Sequence, residues 1–289
     1  MPVTEESPGL SMLPWLGGKQ QLAPRLLKLI PAHVMYVEVF GGAAALLLNK
    51  PPSIIDVYND LDGELVNLFE VIRDDVDTFL KKAEYLLYSR ELYERWKNDL
   101  KSGVVCDDKV ERALRFWYLM RSSFAAHPYK GWAFCRNDQR NRPDSNLNAL
   151  DKMKAIHERL KGVEIDHLDF RRLIKNRDAP DTFMFLDPPY LDAEEYRLGI
   201  FTLHDHVELA DMLRHATSKW LLTIGDHPKI RELYASFRVE EVTSALCVSK
   251  IIDEERPTFK QLIITNYDPA KMQAFAAAKQ MTLMDLSAE

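Results

Sequence analysis

Apolar residues along the chain fall into short continuous runs that alternate with stretches of helical periodicity. The first periodic stretch follows Gly17-Gly18, with Leu22, Leu26 and Leu29 at helical spacing. Tyr36 to Phe40 is a short, β-rich apolar run that enters Gly41-Gly42. The segment AAALLLNK then reads as a helix, stopped by Pro51-Pro52. Ser53 to Tyr58 predicts a second short strand ending at Asn59-Asp60, and ELVNLFEVIRDD a helix after it. Strand, glycine turn, helix, strand and acidic residue is the opening of a parallel α/β nucleotide-binding unit.

From 74 to 160 the pattern changes. Charged helices such as AEYLLYSRELYERWKNDL give way to a basic, aromatic segment, and no buried strand is evident. The stretch 74–160 therefore predicts an inserted, mainly helical subdomain, with 11–73 and 161–289 forming the α/β domain around it. Beyond it, Val163 to Asp166, Thr182 to Leu186 and Lys219 to Ile224 read as strands. HDHVELADMLRHA is an amphipathic helix, and a shorter one is expected over Lys229 to Ser236. The end, KQLIITNY, reads as one arm of a hairpin whose other arm is ALCVSKII.

Composition narrows the class. With 289 residues, 46 % of them hydrophobic and 28 % charged, the chain has the means to bury a substantial core. No apolar stretch is long enough to span a bilayer, and the acidic start MPVTEESPGL is unlike a secretion signal. Cys106, Cys135 and Cys247 are too scattered for a zinc spacing or a disulfide framework, which suits a reducing cytoplasm. His127, His204, His206 and His227 make no metal-ligand pattern, so no metal is expected; His204-Asp205-His206 reads as the first turn of a helix. The net charge of −6 argues against indiscriminate coating of nucleic acid. Positive charge is nonetheless concentrated: between Arg112 and Arg142 the only acidic residue is Asp138. Within that segment Arg121, Phe124, Lys130, Arg136, Arg140 and Arg142 are the candidates for DNA contact.

The most specific chemical signal is Asp187-Pro188-Pro189-Tyr190, directly after the apolar strand TFMFL. An exocyclic amine of adenine is a poor nucleophile because its lone pair is delocalised into the ring. Hydrogen-bond acceptors for both of its N–H groups let the nitrogen pyramidalise. Asp187 offers one acceptor and a backbone carbonyl within the stiff proline pair the other. Tyr190 offers a ring on which a base turned out of the duplex can stack. A simple strand-ending turn is the competing reading of these four residues.

The glycine turn Phe40-Gly41-Gly42 permits close approach of a ligand to the backbone, and the helix expected after it favours a carboxylate. Asp60, about 20 residues on, suits the ribose hydroxyls of a nucleoside, with a helix N-cap as the alternative. Trp15, Gly17, Gly18 and Lys19 offer a flat aromatic, a flexible turn and a cation for the same ligand.

In this order, Trp15-Leu16-Gly17-Gly18-Lys19, Phe40-Gly41-Gly42-Ala43, Asn59-Asp60 and Asp187-Pro188-Pro189-Tyr190 resemble the Dam-type, N6-adenine-specific DNA methyltransferases. The resemblance runs from Leu13 to Pro269 and includes Asp169-Phe170, Tyr196, Phe201-Thr202 and Ile264-Thr265-Asn266-Tyr267. It implies a Rossmann-like, S-adenosylmethionine-dependent methyltransferase sheet carrying an inserted helical target-recognition subdomain. It also implies double-stranded DNA as the partner and S-adenosyl-L-methionine as the cofactor. By the same resemblance Trp15, Lys19, Asp60 and Asp187 match cofactor contacts, Phe40, Gly41 and Gly42 the loop beneath the methionine portion, and Asp169 and Phe170 a site beside the cofactor adenine. Asp187, Pro188, Pro189 and Tyr190 match the catalytic tetrad. Two departures stand out: Met120 to Ala126 keeps Arg121 and Phe124 but lacks the family's asparagines, and Gln261 stands where Glu is common. The first leaves the target sequence open. Methylation of an amine in RNA or of another exocyclic amine such as that of guanine, and a DNA-binding relative that has lost the chemistry, are the competing functions.

Overall fold

The computed structural model describes residues 9–15, 17–134, 142–191, 201–245 and 258–272. It divides into two compact units, one of Met1–Pro24, Gly41–Pro52 and Asp60–His167, the other of Arg25–Phe40, Ser53–Asn59 and Leu168–Glu289.

Seven strands form one sheet: β1 (Met35–Glu38), β2 (Ile55–Asn59), β3 (Val163–Asp166), β4 (Thr182–Leu186), β5 (Lys219–Gly225), β6 (Arg238–Ala245) and β7 (Thr258–Thr265), in the order β3-β2-β1-β4-β5-β7-β6. β1 runs parallel to both β2 and β4, and β4 parallel to β5, whereas β7 is antiparallel to β5 and β6. The architecture is mixed α/β with a mostly parallel sheet.

Alternate strand residues build the core of the second unit. Val37 and Val39, Met184 and Leu186, Trp220, Leu222 and Ile224, and Leu262 and Ile264 share one face, as the two-residue strand period requires. Against them pack α8 (Phe170–Arg177), α9 (Leu203–His215) and α10 (Pro228–Leu233) through Leu173, Ile174, Leu209, Leu213 and Ile230. β4 is buried at all five positions, which explains why it reads as an unbroken apolar run.

The first unit is mainly helical, with β3 near its end. After the short α1 (Ala23–Leu27), which ends outside it, come α2 (Gly63–Asp74), α3 (Val76–Glu84), α4 (Arg90–Lys101), α5 (Lys109–Ser122), α6 (Arg142–Leu150) and α7 (Met153–Leu160). Asp62, Asp75, Ser89 and Asp108 cap α2 to α5 by accepting from a backbone N–H in the first turn. α5 buries Ala113, Leu114, Phe116, Trp117, Tyr118, Leu119 and Met120 on nearly all sides, so it forms the unit's centre.

Two expectations fail. AAALLLNK is not a helix but a chain of turns, because Gly42 and Ala44 take positive φ angles of 49° and 54°. Leu48 N and Lys50 N still reach Ala44 O and Leu46 O, but the turns do not join into a helix, and Asn49 Nδ2 takes the Ala45 carbonyl at 2.8 Å. Burial of Ala44 to Leu48 explains the apolar composition that imitates a helix. No helix N-terminus therefore stands behind Gly42 to attract a carboxylate. The hairpin partner of β7 is also not ALCVSKII, most of which lies outside the described residues, but the more polar RVEEVTSA of β6. An edge strand needs few apolar positions, so an apolar run is the wrong signal for it.

Candidate active site

The sheet order reverses between β1 and β4, where the chain departs to opposite sides, and ligands in open α/β sheets bind outside the carboxyl ends of such strands. Glu38 lies in register with Phe185, and Val39 N donates to Phe185 O at 3.0 Å. Two residues further along each strand stand Phe40 and Asp187. The switch point thus places the end of the glycine-turn strand beside the start of Asp187-Pro188-Pro189-Tyr190.

Asp187 follows the last residue of β4, and one of its oxygens is held: Thr223 Oγ1 donates to Oδ1 at 2.9 Å. Thr223 lies on β5 and is fully buried. Pro188 is buried, while Asp187, Pro189 and Tyr190 are half-buried. The Tyr190 hydroxyl donates to Gln261 Oε1 at 3.1 Å.

Beside this motif Phe40, Phe170 and Phe201 form an aromatic trio, with ring centroids 5.5 to 5.7 Å apart. Phe170 opens α8, and Asp169 before it is the N-cap, accepting from Arg171 N at 2.9 Å. Arg171 also reaches Asp169 Oδ2 at 3.1 Å, Asp205 Oδ1 at 2.6 Å and Glu208. Its guanidinium lies over the Phe170 ring at 4.4 Å. The Asp169 carboxylate is therefore engaged in capping and in an ion-pair network. Behind the trio, His206 is fully buried with its ring 4.7 Å from that of Phe201. Among the described residues neither of its ring nitrogens finds a hydrogen-bond partner, although it faces the Pro189 carbonyl. Burial pushes its pKa down to about 4.

Asn59 organises the same edge of the sheet. Its buried side chain donates to Val39 O at 2.9 Å and Leu168 O at 3.0 Å, and accepts from Leu168 N at 2.9 Å. The ends of β1 and β2 and the residue before Asp169 are thereby tied together.

In the first unit, Gly42 N donates to Asp60 Oδ2 at 2.8 Å and Asp62 N to Asp60 Oδ1 at 2.8 Å. The cap of α2 is Asp62, so Asp60 does not act as the helix N-cap. Trp15 lies against Gly42 so closely that a Cβ there would come within 2.9 Å of Trp15 Nε1. Gly17, with φ of 73°, and Gly18 form the turn, and the buried Lys19 returns its Nζ to Gly17 O at 2.8 Å. Trp15, Gly42 and Asp60 are thus assembled into one cluster.

Of the basic candidates, Arg121 and Lys130 are described. Arg121 donates to Asn146 Oδ1 at 3.0 Å and Ser145 O at 2.6 Å and lies over Trp117, so it ties α5 to α6. Phe124 is exposed at the start of a turn closed by a bridge between Ser123 and Trp132. Lys130 lies in the same turn, its carbonyl accepting from Tyr93 at 2.7 Å. Arg136, Arg140 and Tyr196 lie outside the described residues, as does the side chain of Arg142, which opens α6. Arg90, not singled out in the sequence, stacks over Trp132 and Phe134 at 4.9 and 5.6 Å. Among the described residues no group of three or more His, Cys, Asp or Glu is placed to hold a metal ion. None of the described helices is long and apolar enough to cross a membrane.

Comparison with known proteins identifies the family. Residues 15–245 match the D12 class N6 adenine-specific DNA methyltransferases. The chain belongs to that family, and it is an adenine-specific DNA methyltransferase. Its similarity to the type II methyltransferase M1.LlaDCHI of Lactococcus lactis subsp. cremoris is 27 % identity, over 88 % of this chain and 94 % of that protein. The DNA adenine methylase of Escherichia coli K12 is 25 % identical over 90 % of this chain and 98 % of its own length. The DNA N-6-adenine-methyltransferase of Escherichia phage P1 is 25 % identical over 83 % of this chain, but only 33 % of the longer phage protein is matched. Methylation of adenine in DNA requires a methyl donor and DNA as substrate.

Proposed function

We propose that the chain transfers the methyl group of S-adenosyl-L-methionine to the N6 amine of an adenine turned out of double-stranded DNA, with Asp187-Pro188-Pro189-Tyr190 as the reactive centre. The observation that carries this reading is the fixed carboxylate of Asp187 at the switch point, held by Thr223 at 2.9 Å beside the end of β1.

The residues suit such a donor. Phe40 and Phe170 offer an apolar wall, with Asp169 a carboxylate beside it. Trp15, Gly17, Gly18, Lys19, Gly41, Gly42 and Asp60 are the further donor-binding candidates, Asp60 fixing the glycine turn and Gly42 leaving the backbone open beneath Trp15. When bound, S-adenosylmethionine supplies a methyl group on a sulfonium centre.

The chain's own work is to orient the nucleophile. Asp187 accepts one N–H of the adenine amine and a carbonyl of the proline pair accepts the other. The nitrogen then pyramidalises and directs its lone pair at the methyl carbon. As the C–N bond forms and the methyl–sulfur bond breaks, the nitrogen becomes cationic, and Asp187 stabilises that charge and accepts a proton from it. Tyr190 stacks on the base and meets part of the cost of removing it from the duplex. The helical stretch 74–160 serves as the target-recognition subdomain, with Phe124, Lys130, Arg136, Arg140 and Arg142 as its DNA contacts and Arg121 as their anchor. The protein acts in the cytoplasm of a bacterial or phage-infected cell, the setting its relatives' sources indicate.

The test is transfer of labelled methyl from S-adenosylmethionine to unmethylated DNA and, in parallel, to total RNA, each digested to nucleosides. Label in N6-methyladenine from DNA supports the reading. Label confined to RNA, or a failure to bind S-adenosylmethionine by calorimetry, overturns it.

A further inference from the structure

The departure at Gln261 coincides with a built contact to the reactive motif. Gln261 lies on β7 in register with Gly225 of β5, and its side chain is 2 % exposed. Above this pair of residues lies the ring of Tyr190, bounded on three sides. A Cβ on Gly225 would stand 3.1 Å from Tyr190 Cδ2, so the ring rests on a surface that glycine alone leaves open. Phe259, also on β7, approaches with its centroid 6.4 Å away at 46°. The hydroxyl at the far end is hooked by Gln261 Oε1 at 3.1 Å. A tyrosine ring turns about two side-chain bonds. Gly225 and Phe259 limit its tilt, and the bond at the hydroxyl fixes where the ring ends.

We propose that Gln261 is a positioning residue for methyl transfer, fixing the plane of Tyr190 so that the target adenine stacks at the height where its amine meets Asp187. The inference rests on the reading above, in which Tyr190 is the stacking platform. It gives a role to the side-chain oxygen at this position, as the acceptor that holds the phenol. Gln261 touches neither base nor methyl donor and acts through Tyr190.

The test is a double-mutant cycle on the full chain, with unmethylated plasmid DNA and S-adenosylmethionine as substrates. Tyr190→Phe removes the donor, and Gln261→Met keeps the length of the side chain but removes the acceptor. Each is expected to lower kcat about fivefold, the worth of one hydrogen bond, with KM for the methyl donor unchanged. Combined, they should lose no more than either alone, since the same bond is broken twice. Gln261→Glu, which retains an acceptor oxygen, should stay within about threefold of the parent. If Gln261→Met fails to fold, the Glu variant carries the test, and a loss as large as that of Tyr190→Phe overturns the proposal. Additive losses also overturn it. A drop in activity for Tyr190→Ala, with Tyr190→Phe and Gln261→Met both fully active, removes Gln261's role alone. An active Tyr190→Ala removes the stacking platform itself.

Discussion

The hydroxyl of Thr223 holds the carboxylate of Asp187 at 2.9 Å across two adjacent parallel strands. Thr223 is fully buried, so the bond is shielded from competing water. Thr223→Val preserves shape and removes the donor. It should lower kcat about tenfold, equivalent to about 1.4 kcal/mol, while thermal unfolding moves little. Single-turnover transfer to DNA measures the effect, and an unchanged rate would show that Asp187 is oriented by other means.

Gly42 and Gly103 both take positive φ, at 49° and 70°, yet their surroundings differ. A Cβ at Gly42 meets Trp15, whereas at Gly103 it meets nothing within 4 Å. Gly103→Ala should therefore cost only the backbone strain of about 1 kcal/mol in stability and leave donor binding alone. Gly42→Ala displaces Trp15 as well, and calorimetry should show the Kd for S-adenosylmethionine rising about tenfold.

Asn59 serves three backbone partners from a buried site. Asn59→Ala leaves Val39 O and both polar groups of Leu168 without it. The cost should be about 2–3 kcal/mol, seen as a fall of several degrees in Tm. Asn59→Asp should be little better, because a carboxylate cannot donate to the two carbonyls.

Acid should weaken the fold in two steps. His206 has its pKa lowered from 6.5 to about 4 by burial, against the opposing pull of Asp205 and the Pro189 carbonyl. Between those values the unfolded chain binds the proton and the folded one does not, so stability falls as pH drops from 6.5 to 4. The loss is on the order of 3 kcal/mol. Asp205 is at about 2: partial burial raises it, but bonds from Thr202 and Arg171 outweigh that. Its contribution is present above the unfolded value near 3.8 and disappears as pH falls towards 2. His206→Gln should flatten the Tm profile between pH 6.5 and 4 and leave the lower step in place. A profile identical to the parent's would mean that His206 is not the group responsible.

Much of this was legible in the sequence where burial is continuous. β4 read correctly from its apolar run, and His204-Asp205-His206 lie in the first turn of a helix as read, closed by a capping box between Thr202 and Asp205. AAALLLNK misled because buried turns and buried helices share a composition, and only the positive φ at Ala44 separates them. Thr223 and Gln261 were invisible as partners of the motif because they are 36 and 71 residues from it along the chain. Strand register alone brings them there. Asn59 carried a faint signal, a buried amide at the carboxyl end of an apolar strand, but its three acceptors and donors come from folding.

The most direct measurement is methyl transfer by Asp187→Ala beside the parent, with DNA digested to nucleosides and donor binding followed by calorimetry. The variant should fold and bind S-adenosylmethionine, yet form no detectable N6-methyladenine. Undiminished N6-methyladenine from that variant would contradict the assignment of Asp187 as the group that orients the amine.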